Sequence, residues 1–174
     1  MARSRTVRMM LGAALAMAAP ALIGATDLSS NFEQRILAAQ NRERAALGLP
    51  AMQWDPALAR SAHQWASTLA NTGRFEHAPF NPANPQGENL WAGTRGYFSV
   101  EAKVDAWLRE KQHFVPGVFP NNSRTGRVQD VGHYTQIVWR NTGKVGCAIA
   151  KGEAEDVLVC RYAQPGNWRG ERPF

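Results

Sequence analysis

The chain has 174 residues, of which 44% are hydrophobic and 20% are charged, and its formal net charge is +6. Three of its 20 basic residues lie in the first 25 positions, which leaves 17 basic and 14 acidic residues, a net charge of +3, in the remainder. That remainder has no Lys/Arg cluster of the nucleic-acid-binding type, so the composition excludes nucleic acid as a partner. Its length, about 150 residues, predicts one domain with one core.

The first 25 residues have the pattern of a secretory signal peptide. Three arginines precede the apolar stretch Met9–Ala19, and the motif that follows predicts cleavage after Ala21, with Ala25 as the alternative. The apolar stretch is shorter than the ~20 residues that a membrane span needs. We therefore expect no stable membrane anchor, a single domain over residues 26–174, and a protein that is secreted to the extracellular space or the periplasm.

Three helices are predicted in the first two thirds of the chain, where apolar residues repeat every 3.6 positions. The first begins at the capping box Ser30–Glu33 and ends at Gly48, with Arg44 on its polar side. The second and third begin at the N-cap residues Asp55 and Ser99.

The rest of the chain is predicted to form loops and strands. Two long segments rich in glycine and proline, Gly73–Tyr97 and Val115–Val131, are predicted as ordered loops, which are uncommon in a small domain unless they have a function. His133–Arg140 alternates as a strand does, and Val145–Ala150 and Val157–Ala163 are β-branched runs around a polar turn. Helices followed by strands predict an α+β domain in which helices cover a small antiparallel sheet.

The two cysteines, Cys147 and Cys160, are 13 residues apart. An even count in an exported chain favours one disulfide, and this spacing suits a bridge between neighbouring strands. Two unpaired buried thiols are the alternative.

Three segments together resemble one secreted family, the CAP superfamily of cysteine-rich secretory, antigen-five and pathogenesis-related proteins. They are GHYTQIVWRNTGKVGCA at Gly132–Ala148, GEN at Gly87–Asn89 and the ending CRYAQPGNWRGERPF. The resemblance runs from Asn31 to Phe174 and implies a three-layer α-β-α sandwich. Gln40 stands where family members commonly have histidine. The single cysteine pair and the Ala-rich leader indicate a bacterial exported member.

The resemblance also implies a cavity lined by two histidines and two glutamates. These correspond to His77 in RFEHAPF, Glu88 in GENLW, Glu110 in AWLREK and His133 in GHYTQ. Two imidazoles with nearby carboxylates suit Zn²⁺ or another divalent metal. The family pattern makes the histidines the metal ligands, and the glutamates would support them by accepting the far N–H of each ring.

Family members that bind sterols or other lipids do so through apolar loop surfaces, so a lipid is a possible ligand here. Trp91 and Trp168 lie in predicted loops and are candidates for such a surface, whereas Trp54, Trp65, Trp107 and Trp139 lie on periodic apolar faces and are predicted to be core.

Two other functions stay open. Glu88 and Glu110 are candidate catalytic groups of a metal-assisted hydrolase or peptidase, acting as general acid and base, although the sequence has neither a G-x-S-x-G nor an H-E-x-x-H motif. Alternatively, the chain is a cell-surface interaction module that binds an extracellular protein, and the four residues order the loops. Binding without catalysis is the leading hypothesis.

Glu110 and His113 stand three apart on a predicted helix, and a surface contact between them is expected.

Overall fold

The structure is a computed structural model that describes residues 25–174, with side chains described from Asn31 onward. The predicted leader, apart from Ala25, lies outside this part of the chain. Within residues 25–174, no helix is both long enough and apolar enough to cross a membrane.

Four helices and four strands make up the described domain. The helices are α1 (Ala25–Ala46), α2 (Pro56–Thr72), α3 (Val100–Leu108) and α4 (Gly132–Ile137), and the strands are β1 (Gln53–Trp54), β2 (Gly87–Thr94), β3 (Lys144–Lys151) and β4 (Glu155–Ala163). Two short 3-10 helices cover Arg109–His113 and Val128–Asp130. The strand order is β1-β3-β4-β2, antiparallel throughout except that β1 runs parallel to β3.

The sheet separates two apolar cores, one on each face. Side chains alternate between the faces of a strand, so Val145 and Leu158 join the core that includes residues of α1, α3 and α4. Ala148 and Val159 point the other way and pack against Ala62, Ala66 and Leu69 of α2. The predicted α-β-α sandwich is therefore confirmed.

Most of the predicted helix ends are correct. Asp55 Oδ1 accepts hydrogen bonds from the backbone N–H groups of Ala57 and Leu58, at 2.8 and 3.1 Å. Ser99 Oγ accepts one from Ala102 N at 3.1 Å. The start of α1 differs from the prediction, because the helix begins at Ala25 and the predicted capping box Ser30–Glu33 lies inside it.

Arg44 was predicted on the polar side of α1, and that prediction is wrong, because the residue is fully buried. Its guanidinium donates to backbone carbonyls in the segment between α1 and β1 and around the end of α4, namely those of Pro50, Ile137, Trp139, Arg140 and Thr142. Burial lowers the pKa of Arg44 to about 10. The charge of Arg44 indicated a solvent-facing position in the amphipathic pattern of α1. Backbone carbonyls can, however, satisfy the five N–H donors of a planar guanidinium, and they allow this arginine to be buried.

The strand predicted over His133–Arg140 is also wrong, since residues 132–137 form the short helix α4. Every side chain from Tyr134 to Trp139 is buried. A short segment buried on all sides has no polar face, so periodicity alone cannot distinguish a helix from a strand.

The segment Gly73–Tyr97 was predicted to be loop throughout, but it contains strand β2. This edge strand pairs antiparallel with β4 over its whole length, with Asn89 opposite Cys160 and Trp91 opposite Leu158. Its sequence, GENLWAGT, has few β-branched residues, and its partner strand lies about seventy positions further on. The pairing therefore leaves little local signal.

The predicted disulfide is confirmed, because Cys147 and Cys160 face each other across β3 and β4 and are bonded. Gln40 of α1 is fully buried beside the bridge. Its Oε1 accepts the Tyr162 hydroxyl at 3.0 Å, and its Nε2 lies 4.0 and 3.9 Å from the sulfurs of Cys147 and Cys160. The glutamine thus connects α1 to the centre of the sheet.

Candidate functional site

His133 and Glu110 form the first of two His–Glu pairs. His133 is the second residue of α4, and Glu110 lies in the 3-10 helix that continues α3. Glu110 Oε1 is 2.5 Å from His133 Nδ1. Glu110 Oε2 accepts from the backbone N–H groups of His133 and Tyr134, at 2.9 and 3.0 Å. Trp107 stacks on the imidazole with ring centroids 6.0 Å apart. One carboxylate therefore caps α4 and orients the ring.

His77 and Glu88 form the second pair. His77 lies in the loop after α2 with its side chain 64% exposed, and Glu88 lies on β2 with its side chain 7% exposed. Glu88 Oε1 is 2.5 Å from His77 Nδ1 and accepts from Ala78 N at 3.1 Å. Glu88 Oε2 pairs with Arg161 Nη2 at 2.9 Å. The buried carboxylate thus holds the exposed ring to the sheet.

Arg161 lies opposite Glu88 in the β2–β4 register. Its pKa is lowered, chiefly by burial, and the negative charge of Glu88 opposes that effect. Arg161 was not among the residues predicted to form the site. One signal points to it, because Arg161 is a charged residue inside the apolar run Val157–Ala163.

Contacts of β2 place the two pairs on the same part of the fold. Asn89 follows Glu88 in the strand, and its Nδ2 donates to the His133 carbonyl at 3.1 Å and lies 3.2 Å from the Tyr162 hydroxyl. Trp107, which stacks on His133, donates its indole N–H to Leu90 O at 2.9 Å. The Gly-Glu-Asn segment therefore touches His77 through its glutamate and His133 through its asparagine.

A cavity of about 570 Å³ opens beside the His77–Glu88 pair. Its lining also includes Arg161, Gln136 and Trp168, but neither His133 nor Glu110. A Cβ at Gly87 would overlap the side-chain amide of Gln136. Gln136 in turn accepts from Gly166 N at 2.9 Å and donates to Thr142 Oγ1 at 3.2 Å. A side chain at position 87 would therefore displace the buried amide of Gln136.

The four residues are two separate pairs and not one cluster of four ligands. Among residues 25–174, no group of three or more His, Cys, Asp and Glu side chains is arranged to hold a metal ion. In each pair the carboxylate bonds to Nδ1, which fixes the ring and leaves Nε2 as the remaining nitrogen. Each pair therefore presents one oriented imidazole nitrogen, Nε2, to a ligand.

Glu110 and four of the six tryptophans occupy the following positions relative to the predictions, and Trp91 and Trp168 complete the set. The carboxylate of Glu110 is hydrogen-bonded to His133. Glu110 is therefore oriented by His133 and not by the contact expected with His113. Trp107 and Trp139 are core residues as predicted, whereas Trp54 and Trp65 are half-buried. Trp91, predicted in a loop, lies half-buried on β2, and Trp168 is exposed at the cavity.

An exposed aromatic tip, Tyr97 and Phe98, follows β2. The two residues are 77% and 39% exposed. Their rings meet edge to face at 4.9 Å, and Phe98 meets Trp91 edge to face at 5.2 Å. Three aromatic rings therefore form one continuous apolar surface next to the start of α3.

Comparison with known proteins decides the family. The model of the cysteine-rich secretory protein family, CAP, matches residues 37–162, which is most of the chain. The chain belongs to the CAP family. The matched range includes His77, Glu88, Glu110 and His133, so the resemblance inferred from these residues is confirmed.

The CAP chain is of the PR-1 type. It is 36% identical over 148 residues to the pathogenesis-related protein PR-1 of Medicago truncatula, covering 84% of this chain and 81% of that protein. It is also 36% identical over 148 residues to pathogenesis-related protein 1A of Nicotiana tabacum, covering 84% and 83%. These relatives are plant proteins, and the bacterial origin predicted from the leader and cysteine content finds no support in them.

Solved structures share the CAP fold. The crystal structure of NaASP2 with Zn²⁺ superposes with a TM-score of 0.70 at 22% identity, covering 82% of this chain and 84% of that one. The structure of BmVAL-1 superposes with a TM-score of 0.64, also at 22% identity, covering 91% and 86%. At this identity the likeness establishes the fold.

Proposed function

We propose that this CAP protein is a secreted binding protein that holds a divalent metal ion between His77 and His133. The observation that carries the proposal is the same in both pairs: a glutamate oxygen lies 2.5 Å from the Nδ1 of the histidine. Metal-binding histidines commonly give their second nitrogen to a carboxylate, which fixes the tautomer and raises the basicity of the ligating nitrogen.

The donor set fits Zn²⁺ or a similar borderline ion, with water completing the coordination. Two protein ligands make a weaker site than the three that catalytic zinc centres use, and we expect an affinity in the micromolar range. The relative NaASP2 has been crystallised with Zn²⁺, which supports a metal in this fold. A bound ion would supply Lewis acidity and lower the pKa of its water.

The surroundings of the two carboxylates favour binding over hydrolysis. Glu88 Oε1 is hydrogen-bonded to His77 and Ala78 N, whereas its Oε2 has no hydrogen bond in the described part of the chain and is ion-paired with Arg161 Nη2 at 2.9 Å. Glu110 is bonded to the ring and backbone of His133 and to Tyr134 N. A general base needs a free oxygen within reach of the proton that it removes. Both carboxylates are already bonded to their histidines, and the second oxygen of Glu88 faces the Arg161 cation, which favours an orienting role over proton transfer.

Secretion is part of the proposal. The disulfide between Cys147 and Cys160 is of a kind that persists in oxidising compartments, the leader has the pattern of an export signal, and the family is described as secretory.

Isothermal titration of the mature protein with Zn²⁺ tests the metal site. We expect one site of micromolar affinity in the wild type, lost in His77→Ala/His133→Ala. The matched control is His63→Ala, which removes an exposed histidine of α2. Wild-type protein that is folded but binds no Zn²⁺ would contradict the proposal and favour the interaction module, in which the pairs order loops.

A sterol is proposed as a second ligand, bound at the aromatic tip. The observation that favours it is the exposure of Tyr97 and Phe98 on a surface continuous with Trp91. Lys103 lies under this surface, but its ammonium is already paired with Asp156. Lys103 is therefore already paired and is not available to a fatty-acid carboxylate, so a neutral, rigid apolar ligand fits better.

Binding of tritiated cholesterol from detergent micelles tests this second ligand. We expect saturable binding that is lost in Tyr97→Ala/Phe98→Ala and kept in Phe75→Ala, which removes an aromatic side chain that is also exposed but lies elsewhere. No binding by the wild type, or equal binding by all three proteins, would refute the sterol proposal.

A further inference from the structure

We infer that Lys103 and Asp156 are positioning residues, a buried ion pair that holds the aromatic tip in its binding geometry. This inference rests on the sterol-binding part of the proposed function. The Nζ of Lys103 lies 3.7 Å from Asp156 Oδ2, and the two side chains are only 4% and 7% exposed. Lys103 comes from α3 and Asp156 from the start of β4, so the pair joins two elements beneath the tip.

Asp156 holds the tip from the sheet side. Its Oδ2 accepts from the backbone N–H of Gly96 at 3.0 Å. Gly96 has φ +70°, a left-handed conformation that suits glycine. Next to it, Arg95 N donates to Ala154 O at 2.9 Å. The backbone just before Tyr97 is therefore bonded to the β3–β4 hairpin.

Lys103 holds the tip from the helix side. Its Nζ donates to Phe98 O at 2.7 Å and lies 5.0 Å from the centroid of the Trp91 ring. The contact with the ring face is a cation–π interaction. A Cβ at Gly93 would lie 2.7 Å from the Trp91 ring and 3.1 Å from that of Phe98, so Gly93 leaves room for this packing.

The two charges thus bond to the backbone on either side of Tyr97, one at Gly96 and the other at Phe98. A buried ion pair contributes little net stability, because the cost of removing two charges from water offsets their attraction. Here the ion pair instead fixes the conformation of the aromatic tip. The pair gives the tip one conformation in which Phe98 meets Trp91 while Tyr97 points into solvent.

Loss of the pair should reduce sterol affinity without removing any residue of the sterol surface. Apparent affinity falls with the fraction of molecules in the competent conformation. If the freed tip adopts that conformation about a tenth of the time, the dissociation constant rises roughly tenfold. A merely structural role would lower the stability of the protein and leave the tip and its affinity unchanged in the folded fraction.

The test compares Lys103→Met, Asp156→Asn and the double variant with Arg35→Met/Glu101→Gln, which removes an exposed ion pair between α1 and α3. Two quantities are measured: hydrogen exchange of the 94–99 segment, and binding of tritiated cholesterol from micelles. We expect faster exchange confined to that segment and a roughly tenfold weaker affinity in the pair variants, with wild-type values in the control. Lys103→Arg, which keeps the charge, should restore most of both.

Unchanged exchange in the 94–99 segment of folded pair variants would overturn the inference, and so would faster exchange with unchanged cholesterol affinity. If Lys103→Met does not fold, Asp156→Asn is the deciding variant. It removes the negative charge of the ion pair, while its amide oxygen can still accept from Gly96 N. Wild-type protein that binds no cholesterol would refute the sterol proposal itself, and the exchange data would then still show whether the pair orders the tip.

Discussion

Glu110 accepts hydrogen bonds from both the ring and the backbone of His133, with Oε1 2.5 Å from Nδ1 and Oε2 2.9 Å from the backbone nitrogen. The same carboxylate therefore starts helix α4 and orients the imidazole on it. In His77–Glu88 the ring is exposed and the carboxylate is buried. Both histidines are fixed at Nδ1 by a glutamate from another element, and this shared geometry is the basis on which we propose them as a pair of ligands.

Replacing Glu110 with glutamine should weaken both stability and metal binding. A neutral amide has one oxygen, which cannot accept from the ring and from two backbone N–H groups, and it loses the charge that favours a helix N-terminus. We expect the free energy of unfolding to fall by about 2 kcal/mol and Zn²⁺ affinity to fall roughly 10–100-fold.

Urea denaturation and calorimetry measure the two effects of Glu110→Gln. Glu153→Gln, which changes an exposed carboxylate between β3 and β4, is the control. Wild-type affinity in Glu110→Gln would show that the carboxylate does not support a metal-binding histidine.

Arg44→Lys should destabilise the protein by about 3 kcal/mol or more, because lysine cannot reproduce the fixed fork that serves five carbonyls and buried acceptors would lose their donors. Two of those carbonyls, of Ile137 and Trp139, lie at the end of α4. Arg42→Lys on the exposed face of α1 is the matched control. Equal denaturation midpoints for the two variants would mean that Arg44 does not connect α1 to α4.

Gly87→Ala should displace Gln136 and break its bonds to Gly166 N and Thr142 Oγ1. Two broken buried hydrogen bonds correspond to a loss of about 2 kcal/mol. Within residues 25–174, a Cβ at Gly143 would meet nothing within 4 Å, so Gly143→Ala is the control. Thermal unfolding distinguishes the two, and a smaller loss in Gly87→Ala than in Gly143→Ala would argue against the packing account.

Glu101 should contribute to the acid dependence of stability. Its bidentate hydrogen bonds with Arg35, at 2.7 and 2.6 Å, lower its pKa from 4.5 to about 2. A carboxylate with a depressed folded-state pKa stabilises the fold above its unfolded pKa, and this contribution is lost as the pH falls through the folded value. The pair is exposed, so the effect is small.

We therefore expect a small stability difference between wild type and Glu101→Gln at pH 7 that shrinks between pH 4.5 and pH 2. Denaturant unfolding at several pH values measures it. A difference that stays constant over this range would show that the carboxylate charge is not involved.

The elements that the sequence predicted well are those whose signals are local. Asp55 and Ser99 cap their helices with bonds to residues two or three positions away, and β3 and β4 form a hairpin across a short turn. In these cases the interacting groups are neighbours in the chain, so propensity and periodicity contain the information.

The elements that were missed depend on distant partners. Helix α4 is capped by a carboxylate twenty-three positions earlier, β2 pairs with a strand far along the chain, and Arg44 binds carbonyls more than ninety positions away. The four candidate site residues were predicted through family resemblance, but their division into two pairs follows from the sheet register and from the end of α3, which no local pattern shows.

We propose that His77 and His133 together hold a metal ion. Crystals of the mature protein grown with Zn²⁺, with anomalous diffraction recorded on both sides of the zinc absorption edge, test it most directly. We expect one zinc-specific peak within about 2.1 Å of the Nε2 atoms of both histidines, with Glu88 and Glu110 still bonded to their Nδ1 atoms. A peak bound to one histidine alone, or zinc found solely at exposed side chains such as His63, would contradict it.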